Sequence, residues 1–157
     1  MSEKHSDHPD VVALPPFIYL GFFCLGLVLE FFWRTRLLTA LPARLSIGAA
    51  LIFAGIQLGF RAFREFQRAE TSVEVYRPAT SLVTSGPYRW TRNPIYLGLT
   101  SAYMGVALLA DSLWVLGLLA PTLVIVHYGV VLREEEYLRA KFGQPYQRYQ
   151  ASVKRWL

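Results

Sequence analysis

The sequence predicts an all-α integral membrane protein of about four transmembrane helices, with a tight C-terminal helical hairpin, a cytoplasmic loop and an amphipathic C-terminal helix. Three observations lead there. Hydrophobic residues make up 54% of the 157-residue chain and charged residues only 17%, against roughly 45–50% and 25% in soluble domains. Four apolar segments, Phe17 to Trp33, Leu45 to Phe60, Ile95 to Ala110 and Leu113 to Leu132, each approach the ~20 residues that cross hydrocarbon as a helix. The basic residues, finally, lie before, between and after those segments rather than inside them.

Taken in order, residues 1–14 form a polar leader. Met1 to Asp10 is mixed in charge, lacks the basic start and cleavage pattern of a signal peptide, and reads as a short disordered tail. Residues 15–63 hold two membrane helices. Glu30 lies near the end of the first, where an acidic side chain reaches the interface most cheaply. Residues 64–157 supply a long loop, a helical hairpin and a C-terminal cap, so that 1–157 is a single membrane-embedded domain. Asp111-Ser112 leaves almost no linker between the third and fourth segments, which demands a tight antiparallel hairpin. Pro121 falls inside the fourth segment, where its missing N–H predicts a kink.

Charge sets the orientation. Lys4, then Arg61, Arg64, Arg68, Arg77, Arg89 and Arg92 of the second loop, then Arg133, Arg139, Lys141, Arg148, Lys154 and Arg155 of the tail all belong to one side. Only Arg34, Arg36 and Arg44 belong to the other. The positive-inside rule puts the richer side, with both termini, in the cytoplasm, as for a protein of a bacterial inner membrane. This topology accounts for the net charge of +5 and excludes a nucleic-acid-binding face, for which the basic residues would line one soluble surface. Cys24 alone in an apolar run, with His5, His8 and His127 scattered, gives neither a disulfide framework nor a metal site. His127, seven residues before Glu134 and so on nearly the same helix face, reads either as a helix-end histidine bonded to a carbonyl or as one that reaches the Glu134 side.

The loop from Arg61 to Asn93 is long for a compact bundle, and its stretch Thr80 to Trp90 mixes apolar, aromatic and turn-forming residues, unlike a solvated linker. The tail opens with Glu134, Glu135 and Glu136. It then spaces Tyr137, Leu138, Phe142, Tyr146, Tyr149, Val153 and Trp156 at near-helical intervals, a pattern suited to lying on the membrane surface or over the loop. Because a hairpin returns the chain to its starting side, two clusters should meet: Tyr88, Arg92, Asn93, Pro94 and Tyr96 before it, and Arg133, Glu134 and Glu135 after it. Composition alone reads these as interfacial anchors and a solvated acidic face.

The run from Leu82 to Gly98, with Gly86-Pro87-Tyr88-Arg89 and Arg92-Asn93-Pro94-Ile95-Tyr96, followed by Glu134-Glu135, Leu138, Phe142-Gly143, Tyr146 and Tyr149, resembles the isoprenylcysteine carboxyl methyltransferase and phospholipid methyltransferase superfamily. The resemblance implies S-adenosylmethionine as cofactor and a lipid-like or lipid-anchored acceptor drawn from the membrane. It implies that Leu82, Val83, Tyr88, Asn93, Pro94, Ile95 and Tyr96 line the cofactor pocket and that Glu134 binds its polar end. Aromatic rings suit the adenine face and the sulfonium charge, and a carboxylate suits the ammonium. Arg92 or Arg133 would fix a substrate carboxylate or phosphate, and Glu135 would take the proton of an amine acceptor.

Two departures stand out. Asn93 replaces the family's histidine and cannot titrate, and Val130 replaces the arginine that the isoprenylcysteine enzymes carry one turn before the glutamates. A membrane reductase of the sterol type, using NADPH, is the second reading, against which Leu99 stands where those proteins carry an acid. A non-catalytic membrane scaffold is the third. The acceptor's identity and the oligomeric state are not legible.

Overall fold

The computed structural model describes residues 9–37, 40–73 and 77–157. Among these it is helical: α1 (Pro15–Phe32), α2 (Leu41–Arg68), a 3-10 turn (Gly86–Arg89), α3 (Pro94–Leu109), α4 (Leu113–Val126), a π-turn (His127–Val131), α5 (Leu132–Phe142) and α6 (Gln144–Ser152). Proline opens α1, α2, α3 and α6 at a first-turn position, where its fixed φ fits and its missing N–H costs nothing. Three stretches, Pro15–Phe32, Leu41–Arg68 and Leu113–Phe142, are long and apolar enough to cross a membrane; α3 is shorter. Phe17, Leu20, Leu25 and Val28 of α1 and Ile47, Phe53, Ile56 and Phe60 of α2 are exposed, as expected of helices solvated by hydrocarbon rather than water.

The two longest contacts are antiparallel, α2 along α3 and α1 along α4. In the first, Gly48 faces Gly105 and Gly55 faces Gly98. A Cβ on Gly48 would lie 2.9 Å from the Gly105 carbonyl oxygen, one on Gly105 2.6 Å from that of Gly48, and one on Gly98 2.7 Å from that of Gly55. The seven-residue spacing on both helices keeps these positions on one seam. Ser101 Oγ adds a bond across it to the Leu51 carbonyl at 2.8 Å. Without a hydrophobic force between helices in lipid, such small-residue contacts and interhelical hydrogen bonds hold the pair. The second contact is close at Gly26, where a Cβ would meet Val115 Cα at 2.8 Å. Tyr19, Tyr103, Val115, Leu119 and Val126 fill the core between the pairs.

At the end where α1 stops, Glu30 is half-buried and hydrogen-bonded. It accepts from the Thr35 amide (2.8 Å) and hydroxyl (2.7 Å) and from Ser112 Oγ (2.8 Å), tying the first loop to the hairpin turn. Asp111 in the same turn pairs with Arg44 and accepts from the Leu37 amide at 3.0 Å. Ser112 also caps α4 through the Val115 amide.

Three boundaries differ from the expectations. Helix α2 runs past Phe60 to Arg68, because hydropathy falls where the chain leaves hydrocarbon while Ala62, Glu65 and Phe66 keep the helical period. Helix α4, which holds Pro121 in its interior, continues past the end of the apolar segment at Leu132, by way of the π-turn, into α5. The π-turn bonds Leu132 N to the His127 carbonyl, and the Gly129 carbonyl instead accepts from Val12 N at 3.1 Å. The tail is two helices, not one: Gly143 adopts φ +55°, a region that glycine enters without strain, and the chain turns there between α5 and α6. Most of the polar leader lies outside the described residues.

Substituting Gly55 by leucine should lower stability by at least ~1–3 kcal/mol, the cost of overpacking. Gly117→Ala, whose added Cβ would have nothing within 4 Å, should be near neutral. Thermal midpoints in detergent check both; equal midpoints would show that the seam does not hold α2 to α3.

Candidate functional site

The end of the bundle opposite Asp111 carries a cavity, about 850 Å³ with its open mouth included. It is built from segments distant in sequence. Phe66 comes from the extension of α2, and Ser81, Leu82 and Val83 come from the loop. Tyr88 comes from the 3-10 turn, Arg92, Asn93, Ile95 and Tyr96 from the entry to α3, and Glu134, Tyr137 and Leu138 from α5. Tyr146 and Tyr149 come from α6.

The loop is held in place by side chains. Thr71 Oγ1 accepts from the Thr80 amide at 2.9 Å, Ser81 Oγ donates to the Ala69 carbonyl at 2.8 Å, and Tyr137 Oη accepts from the Ala79 amide at 3.1 Å. Glu65 of α2 bonds to Ser85 and to Arg68 (2.6 Å). Gly86, at φ +57°, passes so close that a Cβ would lie 2.8 Å from the Glu65 carboxylate carbon. This sets the 3-10 turn that buries Tyr88, whose ring meets Phe66 edge-on at 5.5 Å and whose carbonyl accepts from Tyr149 Oη at 2.7 Å.

The hairpin brings the two halves of the site together. Tyr96 Oη donates to Glu134 Oε1 at 2.6 Å, and Arg92 Nη2 pairs with Glu135 Oε1 at 3.1 Å. Glu135 is buried and also accepts from Arg155 (Nε 2.8 Å, Nη2 2.9 Å) and from Gln150 Nε2 at 3.3 Å. The C-terminal segment then runs beside the entry to α3: Arg92 N donates to the Lys154 carbonyl (2.9 Å), and Thr91 Oγ1 (3.1 Å) and Asn93 Nδ2 (2.9 Å) both donate to that of Arg155. Arg92 Nε, buried at the cavity wall, has no hydrogen-bond partner.

Of the residues singled out in the sequence, Leu82, Val83, Tyr88, Arg92, Asn93, Ile95, Tyr96 and Glu134 line the cavity. Pro94 does not; it is fully buried at the first turn of α3 and fixes where that helix begins. Glu135 stands behind the lining, clasped by Arg92 and Arg155. Arg133 is exposed and donates to the Asp10 carbonyl at 2.6 Å. Val130 packs fully buried in the core, and His127 lies against Tyr128 and Trp156. The amphipathic pattern of the tail allows the membrane surface or the loop for Tyr146 and Tyr149; both are buried in the wall of the cavity, packed with Val83 and Tyr88. Their period on α6, in step with Leu138 and Phe142, is the signal that points there. Phe66 escapes a reading by hydropathy because it lies beyond the apolar part of α2.

Burial lifts the Tyr88 hydroxyl well above the ordinary phenol range, with the Glu134 charge adding to the effect, and lifts Tyr146 to about 12. Both are therefore neutral at physiological pH, and both line the cavity. No group of three or more His, Cys, Asp or Glu side chains gathers among the described residues.

The family model for phospholipid methyltransferases matches residues 43–145, from the start of α2 to the start of α6. A protein of Haemophilus influenzae described as uncharacterized is 45% identical over 56 residues, covering 32% of this chain and 87% of its own length. No solved structure matches.

Replacing Glu135 by alanine should leave the Arg92 guanidinium buried without its counter-charge and cost ~3–5 kcal/mol. It should release the C-terminal segment, read as faster amide exchange at Arg92 and Val153. Glu136→Ala, at an exposed neighbour, should leave that exchange unchanged. If both variants exchange alike, the ion cluster does not hold the tail.

Proposed function

We propose, from the premise that this chain belongs to the phospholipid methyltransferase family, that it is a membrane-embedded, S-adenosylmethionine-dependent methyltransferase acting on a lipid-soluble or lipid-anchored acceptor. The observation that carries this reading is the meeting of the Asn93-to-Tyr96 entry of α3 with Glu134 across one cavity, through the 2.6 Å Tyr96–Glu134 bond. The basic residues at that end of the bundle support a cytoplasmic position for it.

The lining suits the cofactor's parts. Glu134 is the one acid among the described lining residues, fit to hold an ammonium by a charge-assisted bond. Arg92, with its unpartnered Nε, is fit to receive a carboxylate. Tyr88, Phe66, Tyr146 and Tyr149 offer ring faces for adenine and for a cationic sulfur. Bound there, S-adenosylmethionine supplies an electrophilic methyl group on a sulfonium. The protein's own work is then alignment and exclusion of water. The loop over Leu82 and Val83 and the α6 tyrosines roof the cavity, while Ile95 and Leu138 give it apolar walls that admit a lipid-like acceptor.

An acceptor that arrives as a carboxylate or thiolate needs no base. An amine acceptor must first lose a proton and so has to arrive as the free amine, because Glu134, the carboxylate facing the cavity among the described residues, is given to the cofactor ammonium. Glu135, with both oxygens engaged by guanidinium groups, we assign to positioning Arg92 rather than to taking a proton. Asn93 holds the C-terminal segment through its amide, which gives its replacement of a histidine a structural use.

Calorimetric titration of the detergent-purified protein with S-adenosylmethionine and with NADPH should show binding of the first and none of the second. Glu134→Ala should lose a contact worth roughly 1.5–3 kcal/mol and weaken cofactor binding at least about tenfold. Unchanged affinity in a folded variant would remove Glu134 from the site. Incubation of membranes with methyl-labelled cofactor, with lipid and protein products separated, identifies the acceptor class.

A further inference from the structure

On the opposite side of the 3-10 turn lies a second concavity that shares no lining residue with the first. It is a groove of about 1410 Å³, open mouth included, along the outer face of α2. Its lower part is mainly apolar, formed by Phe53, Ala54 and Leu58 with one amide, Gln57. Its upper part is a ring of arginines: Arg61, Arg64 and Arg68 of α2, and Arg89 of the turn. Positions 61, 64 and 68 fall on one helix face, so three guanidinium groups rise in file above the apolar floor, and Arg89 closes the ring from another element. Trp90 joins the lining and is 75% exposed, as an interfacial indole would be.

We propose that this groove binds one anionic membrane phospholipid, the arginines gripping its phosphate and the floor taking acyl chain. Planar guanidinium forks match phosphate oxygens, and the change from apolar to cationic lining along α2 follows the order of chain and headgroup across a leaflet. Among the described residues no ion pair joins Arg61, Arg64 or Arg89 to a carboxylate; Arg64 lies over the Phe60 ring at 5.8 Å. The one acid among the described lining residues, Glu65, is already engaged by Ser85 and Arg68. None of those residues is left to receive a headgroup ammonium, so the groove should prefer a lipid with net negative charge over a zwitterionic one. This separates its occupant from any amine-bearing acceptor of the cavity.

Native mass spectrometry of the full chain in detergent, with phosphatidylglycerol and phosphatidylcholine supplied in equal amounts, tests the proposal. Wild-type protein should retain one phosphatidylglycerol with a preference of about tenfold or more, the scale of a charge-assisted contact. The triple variant R61Q/R64Q/R89Q should lose that preference, and R34Q/R36Q on the other loop should keep it. Equal retention of the two lipids by wild type, or an unaltered preference in the triple variant, overturns the proposal. So does full displacement of the lipid by millimolar inorganic phosphate, which would mark a free-phosphate site. Should the triple variant lose its helical circular dichroism, Arg89→Gln alone, on the turn, decides: a reduced preference supports the site and an unchanged one rejects it.

Discussion

Where Gly48 meets Gly105 and Gly55 meets Gly98, the backbones of α2 and α3 lie too close for any Cβ, and this contact fixes the frame on which the cavity is hung. Hydrocarbon gives helices no hydrophobic reason to associate, so close approach, dispersion and interhelical hydrogen bonds must do it. Once the seam is set, the continuation of α2 past Phe60 can only rise beside the entry of α3. That places Ala62, Glu65 and Phe66 against the returning loop, with Phe66 facing Tyr88. The cavity thus owes its first wall to a contact made deep in the bundle by residues that have no side chain.

Its second wall depends on charge. Buried ion pairs contribute little to stability alone, since desolvation offsets most of the attraction. Here Glu135 accepts from two arginines on different segments, and the result is specificity of position. Arg92 is held at the wall with its Nε uncommitted, and the C-terminal segment is drawn alongside Thr91 and Asn93. The π-turn contributes in the same way. Its Gly129 carbonyl accepts from the segment that enters α1, while the helix proceeds without interruption from the core to Glu134.

Hydropathy made the apolar parts of the helices and the hairpin legible, because Asp111-Ser112 leaves no length for any other connection. Family resemblance made the loop and Glu134 legible, and seven of the eight residues it singled out for the cofactor line the cavity. What stayed hidden has a common cause. The ends of α2 and α5 lie where apolar periodicity gives way to charge, so Phe66 fell into a supposed loop and Glu135 looked as free as Glu134. Two adjacent glutamates on a helix point about 100° apart, and only the packing of the tail decides which faces the cavity. The tail stayed open between membrane surface and loop for a related reason: an amphipathic face does not state what it is covered by, and here Tyr146 and Tyr149 are covered by the protein's own loop.

The 3-10 turn separates the cavity from the arginine groove, with Tyr88 on one side and Pro87, Arg89 and Trp90 on the other. A turn so placed could couple two ligands only if it had two arrangements to choose between. It is fixed from both sides instead: Glu65 holds Ser85 and crowds Gly86, while Tyr149 holds the Tyr88 carbonyl. A ligand on either face therefore meets a rigid partition. Lipid in the groove would offset the mutual repulsion of Arg61, Arg64 and Arg89 and so stabilise α2 and the turn together, strengthening the wall against which Tyr88 is packed without altering the shape of the cavity behind it.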